Sequence, residues 1–338
     1  MKTALGPSAR WDGRCWCDAA APPAPFAADY TRCAACETLV SSVAPAASTG
    51  GVVDDGTDFY GSQYWTRYQS DAHGLPAIAQ RSRTDVSERC VHWLRALLAY
   101  RRPPARLLEI GAAHGGFLRL ASSAGFEATG IEMSPSIVEF ARRTFEVDMR
   151  VGPLETAGFG DATFDVVVAF DVLEHVHDPA ATLREVRRVL RPAGILLVQT
   201  PEYPARGAEE LVAAADPFLV HLCAPEHVYL FSASSLEKIL ARTGFPNAVF
   251  SPAIFPYDMF AVAGAQALVA HDPDEIAAAL LSTPGGRLAL ALLDVFERAQ
   301  RSEAIAAERL RVIEGLKEAC DQRLAAIERL DQELAKYR

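Results

Sequence analysis

A surplus of basic residues is missing from this chain. Its 33 lysines and arginines face 43 acidic residues, giving a formal net charge of −10 and an isoelectric point near 5.3. Without a positive stripe to neutralise phosphates, a nucleic-acid substrate is not expected. The doublets Arg101-Arg102 and Arg187-Arg188 are isolated and read as solvated charges at helix ends. Long apolar runs are missing too. The nearest, Ala261 to Ala270, is interrupted by Gly264 and Gln266, so no membrane span is expected. The first thirty residues are polar, rich in proline and alanine, and contain cysteines, unlike a secretory signal. A cytoplasmic location is expected on these grounds. From Leu288 to Arg338 there is no proline and one glycine, Gly315, so the usual helix breakers are nearly absent there.

What is present begins with cysteine. Cys15 and Cys17 form one close pair and Cys33 and Cys36 another, while Cys90, Cys223 and Cys320 are scattered. In a reducing compartment, two close pairs point to a tetrahedral Zn(II) thiolate site rather than to disulfides. Cys33-Ala-Ala-Cys36 has the usual knuckle spacing; Cys15-Trp-Cys17 is one residue short of it. The plain alternative is four reduced thiols in an irregular leader. Against it, the segment holds too few apolar residues to fold without a staple. Four thiolates leave no open position, so the metal would be structural. The three scattered cysteines read as small hydrophobes, with Cys223 near the site proposed below.

The most informative stretch is Arg106-Leu-Leu-Glu-Ile-Gly-Ala-Ala-His-Gly-Gly-Phe117. A short apolar strand runs into a glycine-rich turn that opens a helix, and about twenty residues on a second strand ends in Glu132. Such a β-α-β unit can hold a nucleoside-bearing cofactor. Gly111 and Gly115 would let backbone approach the ligand, and Glu132 could accept both ribose hydroxyls. Tight strand-helix turns also use glycine for packing alone, so later segments must decide. A dinucleotide site would bring three spaced glycines and a pyrophosphate. Here the middle glycine position is Ala113, and Glu109 precedes Gly111 by two. That carboxylate would repel pyrophosphate but suits the cationic amino and sulfonium groups of S-adenosylmethionine.

Downstream lie Phe164-Asp-Val-Val-Val-Ala-Phe-Asp-Val-Leu-Glu-His-Val-His-Asp-Pro179 and Leu190-Arg-Pro-Ala-Gly-Ile-Leu-Leu-Val-Gln-Thr-Pro201. With these segments the chain resembles a class I S-adenosylmethionine-dependent methyltransferase from about Arg106 to Gly264. A nicotinamide-dependent dehydrogenase is the structural competitor. The expected fold is α/β: a Rossmann-like seven-stranded methyltransferase sheet, a small N-terminal zinc-binding module and a helical, coiled-coil C-terminal tail. The expected divisions are 1–45 (cysteine module), 46–104 (linker, aromatic segment and lead-in helix), 105–270 (cofactor domain) and 271–338 (tail). The linker runs from Ser41 to Gly56. Strands are expected near Arg106–Ile110, Ala128–Glu132, Met149–Val151, Val166–Phe170, Ile195–Gln199, Ala248–Ser251 and Tyr257–Ala263, the last antiparallel by resemblance. Helices are expected at Ala180–Leu190, with apolar spacing at Val91, Leu94, Leu97 and Leu98, and capped at Phe231–Phe245 with Gly244 as the stop. Phe59-Tyr60-Gly-Ser-Gln-Tyr64-Trp65-Thr-Arg-Tyr68 reads either as a cap over the core or as a lid that stacks on substrate.

In the tail, Arg309-Leu-Arg-Val-Ile-Glu-Gly-Leu recurs fourteen residues later as Arg323-Leu-Ala-Ala-Ile-Glu-Arg-Leu. Ile313, Cys320, Ile327 and Leu334 fall in one heptad column, and Leu310, Lys317, Leu324 and Asp331 in its partner. Either the tail is an amphipathic helix docked on its own domain or it associates. The expected partner is a second copy or a glycosyltransferase-type enzyme.

The resemblance implies roles. Gly111, Ala112 and Gly115 would surround the methionine moiety, with Glu109 orienting its amino group. Glu132 would bind the ribose diol and Met133 the adenine face. Leu154 by its amide and Glu155 by its carboxylate would read the adenine edge, although the acidic residue usual in relatives falls at Pro153. Phe170 and Asp171 would close the site at the end of the fourth strand. Methyl transfer is an in-line displacement that needs alignment and the removal of one proton. His227, in Pro225-Glu-His-Val-Tyr-Leu-Phe231, is the favoured acceptor, with Glu226 beside it; the alternative is a histidine that only packs its loop. His175 is a further candidate and His221 a third. Some quinone-pathway O-methyltransferases place a divalent metal at a similar acid-x-x-Glu-His pattern. The same pair recurs in metal-independent relatives, which favours a structural role for Glu174 and His175.

The cysteine module, the aromatic segment and Glu226-His227 together resemble sugar methyltransferases of natural-product and cell-surface glycan pathways. Deoxysugar C-methyltransferases also carry a second C-terminal α/β domain, and here the heptad tail takes its place. O-methylation of a sugar hydroxyl, on a small-molecule or glycan substrate, is therefore the expected activity. C-methylation of a nucleotide-linked keto-sugar, or a scaffold with a vestigial cofactor site, are the rivals.

Overall fold

The computed structural model describes residues 13–20, 22–46 and 51–336. Part of the expected linker, 47–50, lies outside the described residues. The chain divides into two units, Met1–Leu290 and Ala291–Arg338. The first opens with β1 (Ala24–Ala27), β2 (Tyr30–Arg32) and β3 (Leu39–Ser41). After α1 (Gln69–His73), α2 (Ile78–Asp85) and α3 (Val91–Leu98) the alternating part begins. It runs β4 (Arg106–Ile110), α4 (Gly116–Ala124), β5 (Glu127–Glu132), α5 (Pro135–Phe145), β6 (Asp148–Val151), β7 (Phe164–Phe170), α6 (Pro179–Val189) and β8 (Leu190–Pro201). There follow α7 (Ala208–Ala213), β9 (Tyr229–Leu230), α8 (Ala233–Arg242), β10 (Asn247–Ser251), β11 (Asp258–Gly264), α9 (Pro273–Leu281) and α10 (Pro284–Ala335).

The seven strands expected from sequence form one sheet in the order β10-β11-β8-β7-β4-β5-β6. β11 is antiparallel to both its neighbours, and the β8-β7-β4-β5-β6 part is parallel. Sequence explains this arrangement. β7 is nearly unbroken apolar sequence, as a strand covered on both faces requires, and Val166, Val167 and Val168 are fully buried. Asp178 caps α6 and Ser134 caps α5, each followed by proline at the first helical turn. Ser232 and Ser235 form a reciprocal capping box on α8, and Gly244 follows that helix at a φ of +101°. β8 extends beyond the expected Ile195–Gln199: Leu190 already pairs with Phe164, after which the register shifts before Val166 meets Ile195. The chain winds from β4 towards β6 on one side and from β7 outward on the other. Ligands of open α/β sheets bind at that reversal, beyond the carboxyl ends of the strands.

A second, antiparallel sheet has the order β1-β2-β3-β9. Leu39 pairs with Leu230 and Val40 with Tyr229, so the cysteine-bearing segment shares a sheet with the loop that carries His227. Tyr30, Leu39, Tyr203, Leu211, Phe218 and Leu230 form its own buried cluster. Apolar contact with residues far along the chain thus braces a segment poor in apolar residues of its own. Ser41, expected to open the linker, is buried and ends β3 instead.

The second unit is the continuation of α10, with its apolar side chains at Leu310, Ile313, Leu324, Ile327 and Leu334 exposed. Among the described residues, no helix is long and apolar enough to cross a membrane.

Candidate active site

A cavity of about 1080 Å³ opens at the reversal point of the sheet. Glu109, Gly111, Ala112, Glu132, Met133, Leu154, Glu155, Phe170 and Asp171 line it, as do His175, Glu226 and His227. Gly115 is not on the cavity wall; it precedes α4 as its N-cap at a φ of +80°. Gly111 needs its hydrogen side chain, since its φ is +69° and a Cβ there would lie 2.7 Å from Val172 Cγ2.

Two buried carboxylates face the glycine turn. Glu132 is held by three backbone amides: Ala113 N donates to Oε2 at 3.2 Å, and Met133 and Ser134 N donate to Oε1 at 2.8 and 3.2 Å. Burial pushes its pKa up while these amides pull it down, and the net direction is upward. It therefore shapes the turn as well as offering oxygen to a ribose. Glu109 is pushed well above the usual carboxylate range, first by burial and then by the charge of Glu132. Its Oε2 has no hydrogen-bond partner among the described residues. A buried, unpartnered acid beside a cavity fits a cationic ligand group, as the amino group of S-adenosylmethionine requires.

The other half of the cavity is built by the aromatic segment. Tyr64 Oη donates to Glu226 Oε1 at 2.7 Å, and Tyr68 Oη to Oε2 at 3.3 Å. His73 Nε2 lies 2.8 Å from the same Oε2. Burial pushes Glu226 upward, but the His73 bond, the charges of His175 and His227 and the Tyr64 bond outweigh it and hold its pKa at about 2. With three donors on its two oxygens, Glu226 anchors the aromatic segment. The glutamate in turn raises the His73 pKa, chiefly through the hydrogen bond. This contact stabilises fully below the ordinary histidine value, about 6.5, and is lost as pH rises through the raised value. The stability difference between wild type and His73→Gln is accordingly expected to be largest at about pH 6 and to shrink at alkaline pH in thermal unfolding. A pH-independent difference would contradict the latch.

His227 Nδ1 lies 2.8 Å from the His221 carbonyl oxygen, which places the proton on Nδ1 and leaves Nε2 as an acceptor. Burial, then the charge of His175, lowers its pKa to about 3, so the ring is neutral at working pH. His221 is lowered to about 4, mainly by burial. His175 Nδ1 contacts Tyr60 Oη and the Glu226 carbonyl oxygen, both at 3.0 Å. Glu174 accepts from Thr200 Oγ1 at 3.0 Å, and its carbonyl oxygen receives Val228 N at 2.7 Å, tying the loop after β7 to the His227 loop. Glu174, His175 and His227 offer three ligand atoms within 4.8 Å of one another, a set able to hold a cation.

The sequence offers the aromatic segment as a cap or a lid but gives no single residue of it a partner. Tyr60, Tyr64 and Tyr68 recur every four positions, which was the available signal; Tyr64 and Tyr68 lie on one helical segment and Tyr60 in the turn before it. Arg89 had no such signal. It donates to Asp171 Oδ2 at 2.6 Å and lies 5.4 Å from the rings of Trp93 and Phe255.

Away from this cavity the four N-terminal cysteines converge. Cys15 Sγ is 3.3 Å from Cys36 Sγ, and Cys17 Sγ is 3.4 Å from Cys33 Sγ, with all four sulfurs within 4.8 Å. A tetrahedron of about 2.3 Å Zn–S bonds has a similar edge, so the donor set fits zinc. Arg242 on α8 donates to the Cys17 carbonyl at 2.7 Å, fastening the cluster to the domain.

The strand order, the buried acids at the ends of β4 and β5 and the cavity between them define a Rossmann-like methyltransferase domain. Residues 82–248, just under half of the chain, match the family described as Methyltransferase domain. A Mycolicibacterium smegmatis protein named "Probable S-adenosylmethionine-dependent methyltransferase" is 33% identical over 181 residues, 51% of this chain and 65% of that protein. A ubiquinone biosynthesis O-methyltransferase of Xanthomonas campestris is 34% identical over 104 residues, covering 29% of this chain and 44% of the relative. The chain thus spans less than two thirds of the length of these curated relatives. Among solved structures, the YcgJ protein of Bacillus subtilis is similar at 23% identity and a TM-score of 0.41, covering 48% of this chain and 70% of that one.

Proposed function

We propose that this protein O-methylates a sugar hydroxyl with S-adenosylmethionine as the methyl donor. The observation that carries the reading is one cavity lined both by buried Glu109, whose Oε2 has no partner among the described residues, and by neutral His227 beside the rings of His175 and His221. The bound cofactor supplies a methyl group already activated by its sulfonium. Glu109 would orient the amino group, Glu132 the ribose diol, and Met133, Leu154 and Glu155 the adenine. The faces of Tyr60, Tyr64 and Tyr257 suit the apolar side of a sugar ring. His227 Nε2 would take the hydroxyl proton as the oxygen attacks, and Glu226, whose charge raises the His227 value, would steady the imidazolium. Similarity to a ubiquinone O-methyltransferase supports an oxygen nucleophile over carbon. Mass spectrometry of reactions with a panel of nucleotide sugars and glycan acceptors tests this. Gain of one methyl on a sugar oxygen is expected; methylation of phenolic acceptors only, or of a sugar carbon, would reject it.

The cysteine cluster is proposed to hold one structural zinc per chain. Elemental analysis of protein purified without chelator is expected to find one equivalent, lost in the Cys33→Ser, Cys36→Ser double variant. Zinc absent from wild type, or fully retained in the variant, would remove the site.

A further inference from the structure

The exposed stripe on α10 carries an orientation signal that does not depend on the methyl-transfer reading. Leu310, Ile313, Leu324, Ile327 and Leu334 are each more than half exposed, and Cys320 is exposed with them. Take Leu310, Lys317, Leu324 and Asp331 as the first core column, and Ile313, Cys320, Ile327 and Leu334 as the second. The two flanks of that core then differ in sign. One flank holds Arg309 and Arg323, alternating with Leu316 and Leu330; the other holds Glu314, Asp321 and Glu328. Arg311, off the flanks, pairs within its own helix with Glu308 at 2.9 Å. Arg309, Arg323, Glu314 and Glu328 enter no ion pair among the described residues.

In a parallel, in-register pair of helices, a residue on one flank meets the opposite flank of the other helix five positions further on. Arg309 then faces the partner's Glu314, and Arg323 faces the partner's Glu328; symmetry repeats both contacts. In an antiparallel pair like flanks meet, arginine against arginine and acid against acid, and the arrangement is disfavoured. Lys317 and Asp331 weaken the core but favour two chains over larger bundles, as polar core residues do. We propose that residues 309–334 form a parallel, in-register two-stranded coiled coil with a second copy of this chain.

Charge reversal in the full-length protein tests the pairing. Light scattering on wild type is expected to give twice the 36.5 kDa of one chain. Arg309→Glu with Arg323→Glu, or Glu314→Arg with Glu328→Arg, is expected to weaken the dimer by about tenfold or more. An equimolar mixture of the two variants is expected to regain the doubled mass, because the complementary flanks now belong to different chains. Diamide, which takes two electrons and two protons from a pair of thiols, is expected to join two wild-type chains through Cys320. The Cys320→Ser variant is expected not to link, nor is Cys320→Ser with Gln322→Cys, whose new thiol points outward. A wild-type monomer at high micromolar concentration would overturn the proposal and leave a different enzyme as the helix's partner. A variant mixture that stays apart, or linking as efficient from position 322, would overturn it equally.

Discussion

Replacing His227 by alanine is expected to leave S-adenosylmethionine binding unchanged while lowering turnover by roughly 10²–10⁴, the usual range for a lost general base. The expectation rests on tautomer and position together. The His221 carbonyl fixes the proton on Nδ1, and burial keeps the ring neutral, so Nε2 is open to a hydroxyl at working pH. A histidine that only packed its loop would instead lower stability and leave the turnover of the folded fraction intact. Thermal unfolding measured beside single-turnover rates, on the acceptor found by the panel, separates the two. Unchanged turnover at saturating acceptor would return His227 to a packing role.

The second large effect is expected at Glu132. Glu132→Ala removes the acceptor for the ribose diol and is expected to weaken S-adenosylmethionine binding by about 2–3 kcal/mol, roughly 30–150-fold. The structure adds a consequence that strand position alone did not show. The carboxylate also receives the amides of Ala113, Met133 and Ser134, so its removal leaves one donor of the glycine turn and two just after β5 unmet. Glu132→Gln keeps one acceptor oxygen and is expected to fall between wild type and alanine. Calorimetry on the three proteins gives the order, and wild-type affinity in the alanine variant would remove Glu132 from the site.

These two residues also show how far the sequence could be read. Glu132 was legible because it ends a strand about twenty residues after a glycine turn, a local pattern whose geometry is set by the β-α-β unit. The seven strands were legible for the same reason: Val-rich or apolar runs bounded by glycine and proline turns seldom suit anything else. His227 could be named, but its tautomer depends on a carbonyl six residues back, in a short 3₁₀ turn whose shape no periodicity announces. Glu226 was less legible still. Its three donors come from Tyr64, Tyr68 and His73, more than 150 positions away in sequence, and only folding brings them within reach. The pairing of Leu39 with Leu230 is hidden likewise, because neither two- nor three-residue strand declares its register. Cysteine spacing marked four candidate ligands, while the short Cys15-Cys17 step left their convergence to be seen in three dimensions.

The central claim is that the glycine turn with Glu109 and Glu132 holds S-adenosylmethionine. Titration calorimetry of the full-length wild-type protein with S-adenosylmethionine tests it most directly. The expected result is one cofactor per chain with a micromolar dissociation constant, on the order of −8 kcal/mol. No binding heat with millimolar cofactor, at two or more temperatures, would contradict it.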